Sequence, residues 1–183
     1  MASMRYVLDS KSSQLTVQAF AEGLAGIADH RPRFAVSEFS GELEFDPNQL
    51  RGGWLHMTAR TESLTIMDEV TRQDRVAIER VMFGEVLHPE TFPEVTFRSS
   101  RTICNLVSEN RYRADITGKV SLHGIENQES IQAQLILTDQ SVRAYGEFRL
   151  RQTDYGIAVA SVAGGLLRIK DDIKFVFFFV ARR

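Results

Sequence analysis

The chain has one cysteine, Cys104, and four prolines in 183 residues. A single thiol cannot form an intramolecular disulfide, so the fold does not lean on an oxidising compartment, and Cys104 reads as a small buried hydrophobe. So little proline, beside 43% hydrophobic and 25% charged residues, excludes a disordered, collagen-like or low-complexity chain. Long apolar runs are missing too. The longest, Phe175 to Ala181, falls far short of the roughly 20 residues a membrane-crossing helix needs. Nor does charge of one sign dominate: Lys plus Arg number 22 and Asp plus Glu 24, net −2, so no global positive field gathers nucleic acid or anionic lipid. The stretch Met1 to Lys11 lacks the basic start, apolar run and cleavage site of an export signal. That favours a cytoplasmic location, or a periplasmic one if a signal has been removed.

What is present is alternation, the mark of strands with one buried face. Phe39, Gly41, Leu43 and Phe45 share one parity and Ser40, Glu42, Glu44 and Asp46 the other, until Asp46-Pro47-Asn48 supplies a turn. Leu55, Met57, Ala59, Thr61 and Ser63 repeat the pattern, and Val95, Phe97 and Ser99 form the inner face of a short strand. A longer strand turns Tyr112, Ala114, Ile116, Gly118, Val120 and Leu122 inward, after a turn at Ser108-Glu109-Asn110. Ile131, Ala133, Leu135 and Leu137 answer Val142, Ala144, Gly146, Phe148 and Leu150 across Asp139-Gln140-Ser141 as a hairpin, and Leu15, Val17 and Ala19 make an early strand.

Two segments depart from this period. Asp68 to Leu87 carries Val70, Asp74, Arg75, Ile78, Val81, Met82 and Val86 at three-to-four spacing, an amphipathic helix that would lie on a sheet or cap an opening. Phe175 to Val180 is apolar at both parities, so both faces of that strand are expected to be covered, by the helix, a loop or a second subunit. A long meander disposes of its edges most simply by closing. The expected fold is therefore one domain over residues 1–183, mainly β, an antiparallel barrel of about eight strands with one inserted helix, preferred over a sandwich.

The inward parities contain no Lys, Arg, Asp, Glu or His, and they mix large Phe with small Gly and Ala. A barrel of this size is either filled by its own side chains or left able to hold one small ligand, and both readings stay open at this point. A tunnel would favour extended hydrocarbon, because each buried methylene contributes about 0.8 kcal/mol, or roughly 3 to 4 kcal/mol gross per isoprene unit. The candidate lining residues are Phe39, Leu43, Phe45, Met57, Phe97, Ile116, Val120, Leu135 and Phe148.

Five segments in order carry a family resemblance. They are Tyr6-Val7-Leu8-Asp9 with Ser13-Gln14-Leu15-Thr16-Val17, then Phe39 to Asp46, Phe92-Pro93-Glu94-Val95-Thr96-Phe97-Arg98-Ser99, Gly118 to Gly124 with its Leu122-His123-Gly124, and Arg151-Gln152-Thr153-Asp154-Tyr155-Gly156-Ile157. Together they resemble the successive motifs of the YceI-like family over almost the whole chain. The resemblance implies a lipocalin-like barrel with a helical excursion, and a pocket that in several members holds a polyisoprenoid such as an isoprenoid quinone or polyprenyl chain. Phe20 to Pro32 departs from the family's common form, and Val162-Ala163-Gly164-Gly165-Leu166 resembles a subgroup feature.

Chemistry finds little support in the residues. His30, His56, His88 and His123 show no His-x-His or His-x-x-x-His pair and Cys104 has no partner at ligand spacing, so no metal site and no cofactor are expected beyond a bound isoprenoid lipid. Nucleophilic catalysis lacks a Gly-x-Ser-x-Gly elbow. His30 and His123 are candidates for the barrel mouth. The expectation is a non-enzymatic carrier or store of an elongated apolar lipid. The alternative is a packed barrel without ligand that serves as a protein-interaction or stress-related module, possibly a homodimer.

Overall fold

The structure, a computed structural model, describes residues 3–23, 31–49, 51–159, 161–162 and 167–183. The first half of the chain is built of short strands: β1 (Met4–Leu8), β2 (Gln14–Gln18), β3 (Ala21–Gly23), β4 (Arg33–Val36), β5 (Phe39–Phe45), β6 (Trp54–Arg60) and β7 (Leu64–Ile66). A helix, α1 (Arg72–Val81), runs on into a wider π-helical turn over Met82–Leu87. Long strands follow in β8 (Glu94–Ser108), β9 (Arg111–Leu122), β10 (Ile125–Leu137) and β11 (Ser141–Arg151), then the short β12 (Ser161–Val162) and β13 (Leu167–Ile169), and last β14 (Asp172–Arg182).

Eight of these strands close on themselves in the order β1-β5-β6-β8-β9-β10-β11-β14, with Val7 opposite Arg182 and Leu8 opposite Ala181 sealing β14 to β1. All the pairings in this ring are antiparallel, as the meander of alternating segments predicts. Closure removes the exposed edges that an open sheet of this length would present. β2, β4 and β7 continue from the upper part of β14 as a flap, while β12, β13 and β3 form a separate small sheet.

Serine hydroxyls make the flap possible. Between β1 and β2 the ladder is interrupted, and Ser13 Oγ takes over by accepting from Val180 N at 2.9 Å while donating to Asp9 O at 2.6 Å. Between β6 and β7, Ser63 Oγ accepts from Glu38 N at 3.1 Å and donates to Arg60 O at 2.8 Å. Backbone groups stranded by a strand break must find partners, and these side chains supply them.

The long strand β8 corrects the expectation of a short strand ending at Ser99. A bulge between Ser99 and Arg101 inserts one residue, so the pairing with β9 resumes one position out of step. The extra residue reverses which parity faces inward. Val95 and Phe97 line the interior above the bulge, and Thr102 and Cys104 do so below it.

The helix begins later than its pattern suggests. Thr71 caps it, Oγ1 accepting from Asp74 N at 3.1 Å. The apolar run of β14 is also corrected: its outward Val176 and Phe178 keep 38% and 40% exposure rather than a covering layer. Cross-strand neighbours, Glu147 and Tyr145 on β11 with Thr16 and Gln14 on β2, flank them instead. Among the described residues no helix is long and apolar enough to cross a membrane.

Candidate functional site

The inward faces enclose a cavity of about 220 Å³. One water needs about 10–15 Å³ on this measure, so the void is far larger than a packing defect. Inward residues of β9 line it from Ala114 to Leu122. That run is about 27 Å along the strand, or about 20 Å along the axis at an ordinary barrel tilt. Val86 and Leu87 border one end and Phe45 and Cys104 the other.

Glycines explain why so many phenylalanines leave a void. A Cβ on Gly118 would fall 2.6 Å from Phe97 Cζ, and one on Gly146 would fall 2.8 Å from Phe177 Cζ. Each ring therefore lies over a neighbouring strand where a side chain is missing. The remaining rings pair along the wall: Phe148 stacks on Phe175 at 4.8 Å and 5°, and Phe177 on Phe179 at 5.0 Å and 18°. Aromatic surface is satisfied by ring contacts within the wall, and the axis stays open.

Apart from the Thr102 hydroxyl, the lining makes little polar demand. Thr61 Oγ1 donates to Phe92 O at 2.7 Å and Gln152 Nε2 donates to Lys170 O at 2.9 Å. Glu42, Glu44 and Arg60 border the cavity from positions of outward parity, and their side chains are engaged outside, with Arg5, Trp54, and Glu62 and Glu94 respectively. Among the described residues the buried side-chain polar atoms without a partner are His56 Nε2 and His123 Nε2, and neither residue lines the cavity. Burial pushes the Cys104 thiol up to about 11, with Asp115 adding to the effect, so it faces the lumen as a neutral thiol near pH 7. A group that requires hydrogen bonds would be stranded here; hydrocarbon would not.

The two ends differ. At one, which we call the lid, α1 buries none of its residues, and Met82 is the buried residue of the turn that follows. Arg75 ties the helix down by donating to Ile66 O at 3.1 Å. At the other end, the floor, Tyr6, Phe45 and Tyr112 are exposed by 1%, 5% and 9%, and Phe45 meets Tyr112 edge-on at 5.7 Å. The Arg183 guanidinium lies 5.8 Å from the Tyr6 ring centre outside.

Of the nine lining residues expected from parity, eight border the cavity. Phe39 does not: it belongs to the apolar cluster under the flap, its ring 5.8 Å from that of Phe179. His123 occupies the β9–β10 turn at φ 53°, beside Phe92 at 4.3 Å and His88 at 5.6 Å, without bordering the void. His30 lies outside the described residues. Among the described residues no cluster of three or more His, Cys, Asp or Glu is placed to hold a metal ion. Sequence reasoning missed Thr102, Cys104, Val86 and Leu87 as lining groups. For the first two a signal existed: Arg98 and Arg101 are both exposed, an odd spacing that one face of a regular strand cannot give.

The run Arg151 to Ile157 is structural. Gln152 holds Lys170, Asp171 accepts from Thr153 N at 2.8 Å and from its hydroxyl at 2.7 Å, and Tyr155, fully buried, donates to Glu129 at 2.8 Å. The Thr153 hydroxyl and N–H, with Arg151, hold the Asp171 carboxyl below its usual range. They fasten the connection after β11 so that Ile157 reaches the cavity.

A closed antiparallel barrel around a hydrocarbon-lined void, with a helix at one end, defines a lipocalin-like container. The chain belongs to the YceI-like domain family, whose model matches residues 6–181. A UPF0312 protein of Vibrio parahaemolyticus is 24% identical over 131 residues, 72% of this chain and 62% of that protein. The chain thus spans less than two thirds of that relative's length. Among solved structures, Burkholderia cenocepacia BcnA superposes with a TM-score of 0.71 at 17% identity, over 94% of this chain and 98% of that one. A polyisoprenoid binding domain from Saccharophagus degradans gives 0.67 at 13% identity, over 97% of both chains. The Campylobacter jejuni YceI protein gives 0.61 at 14% identity, over 88% and 90%. At these identities the likeness is one of fold.

Proposed function

We propose that this protein carries or stores an extended apolar lipid, a polyisoprenoid chain such as the tail of an isoprenoid quinone or polyprenol, and performs no covalent chemistry on it. The observation that carries this reading is the void itself, about 220 Å³ running from Leu87 to Phe45 between rings laid over glycines. The name of the Saccharophagus degradans domain supports the choice of ligand class. An axial length of about 20 Å accepts roughly four isoprene units at ordinary C–C bond lengths. Each buried unit contributes roughly 3 to 4 kcal/mol before ordering costs. A charged head has no partner in the lumen, so the head resides at the lid end. Native mass spectrometry of freshly purified protein, followed by solvent extraction, should release one lipid per chain with a prenyl tail. Repeated recovery of empty protein from a host rich in quinone would remove this reading.

A further inference from the structure

We propose that Phe45, braced by Tyr112 and in the same core cluster as Tyr6, is the stop that sets the longest tail the cavity admits. The inference rests on the cavity being a tail-binding site and adds which residues measure the tail. Phe45 is the ring of this trio that borders the void. Its edge-on contact with Tyr112 and the near-complete burial of all three fill the space on its far side from the void. Tyr6 is held in place from below, its hydroxyl 3.7 Å from Met4 Sδ and Arg183 against its ring. At the lid end the bordering groups are the aliphatic Val86 and Leu87, both only partly buried, on a segment tied by few bonds. A tail that enters under the lid meets yielding side chains first and an immobile ring last.

Substitutions on either side of the stop should move the limit in opposite directions. Phe45→Ala removes about six carbons, close to the bulk of one isoprene unit. Ala114, fully buried on the wall and opposite Cys104, lies just above the floor, so Ala114→Leu takes up tail space there. The probe is a series of linear prenols lengthened one unit at a time, each titrated into delipidated protein and followed by displacement of a fluorescent alkyl reporter. For the parent protein the affinity should rise with each unit and then break at a cutoff. Phe45→Ala should move the cutoff one unit longer, Ala114→Leu one unit shorter, and Val76→Ala, on the exposed side of the helix, should leave it unchanged. An unmoved cutoff in both floor variants, with circular dichroism showing both folded, overturns the stop; if Phe45→Ala does not fold, Ala114→Leu decides alone. Failure of the parent to bind any prenol overturns the tail-binding reading itself, a different outcome from binding without a cutoff.

Discussion

At the floor, three aromatic side chains are buried to 9% exposure or less, two of them meeting edge to ring, whereas at the lid a ten-residue helix buries none of its own side chains. Both ends close the same void, yet they draw on different sources of stability. The floor belongs to the core cluster that also contains Phe97, Val120 and Leu150. The lid helix is held by a cap, one arginine and the apolar residues at its far end. Segments with little buried apolar surface open at a fraction of the global unfolding free energy. The floor is therefore expected to stay shut under conditions in which the lid parts from the barrel.

That contrast can be broken most directly at the floor. Tyr112→Ala removes a core ring, and the lost transfer energy plus the remaining cavity should cost about 3–5 kcal/mol, read as a lowered urea midpoint. A loss below about 1 kcal/mol would show that the floor is no more structural than the lid. Next comes the wall. Gly118→Ala would drive Phe97 off its seat, because the added methyl would also meet Arg98 O at 2.5 Å. Overpacking of this kind typically costs about 1–3 kcal/mol, and prenol binding should weaken alongside. Unchanged binding would mean the ring does not keep the lumen open.

The lid should respond locally. Thr71→Ala deletes the helix cap and should cost about 1 kcal/mol within the helix. Hydrogen exchange should then quicken over Arg72–Val81 while β9 and β14 keep their protection. Equal acceleration in the barrel would remove the distinction between the two ends. The smallest effect concerns acid. Asp9, at the seam where β1 meets β14, has its pKa lowered to about 2, first by Arg182 and then by Ser12. A carboxyl depressed in the folded state adds stability above its unfolded pKa, about 3.9. That contribution fades as pH falls towards 2. Asp9→Asn should therefore lower the urea midpoint slightly at neutral pH, and the difference from the parent should shrink below pH 4. A difference that grew with acid would reverse the sign.

Much of the architecture could be read from period-two alternation, because the inward residues of β9, β10 and β11 keep strict parity over long stretches. Tyr112 to Leu122 alternates without a break, and its burial alternates with it. The motif around Ser13 and the run Arg151 to Ile157 were visible too, but their work is to satisfy stranded backbone at strand breaks, which no periodicity reveals. What could not be read was whether the middle is solid. Composition shows twelve Phe and twelve Gly but not which ring rests on which glycine. That depends on cross-strand register, as with Phe177 directly opposite Gly146. Phe39 shares the parity of Leu43 and Phe45 yet ends outside the lining, because its ring meets Phe179 and packs in the cluster of Val17, Phe34, Val36 and Ile66 that the flap brings in.

The extra residue at Ser100 gives β8 one place where it can lose length without losing register. With that residue deleted, Ser99 and Arg101 would still face Gly118 and Thr117, and Thr102 and Cys104 would keep their inward side. A deletion at Ile103 would instead draw the bulge straight, moving Arg101 opposite Ile116 and turning its guanidinium towards the grease. The loss of one residue is thus absorbed at the bulge and disruptive three positions further on.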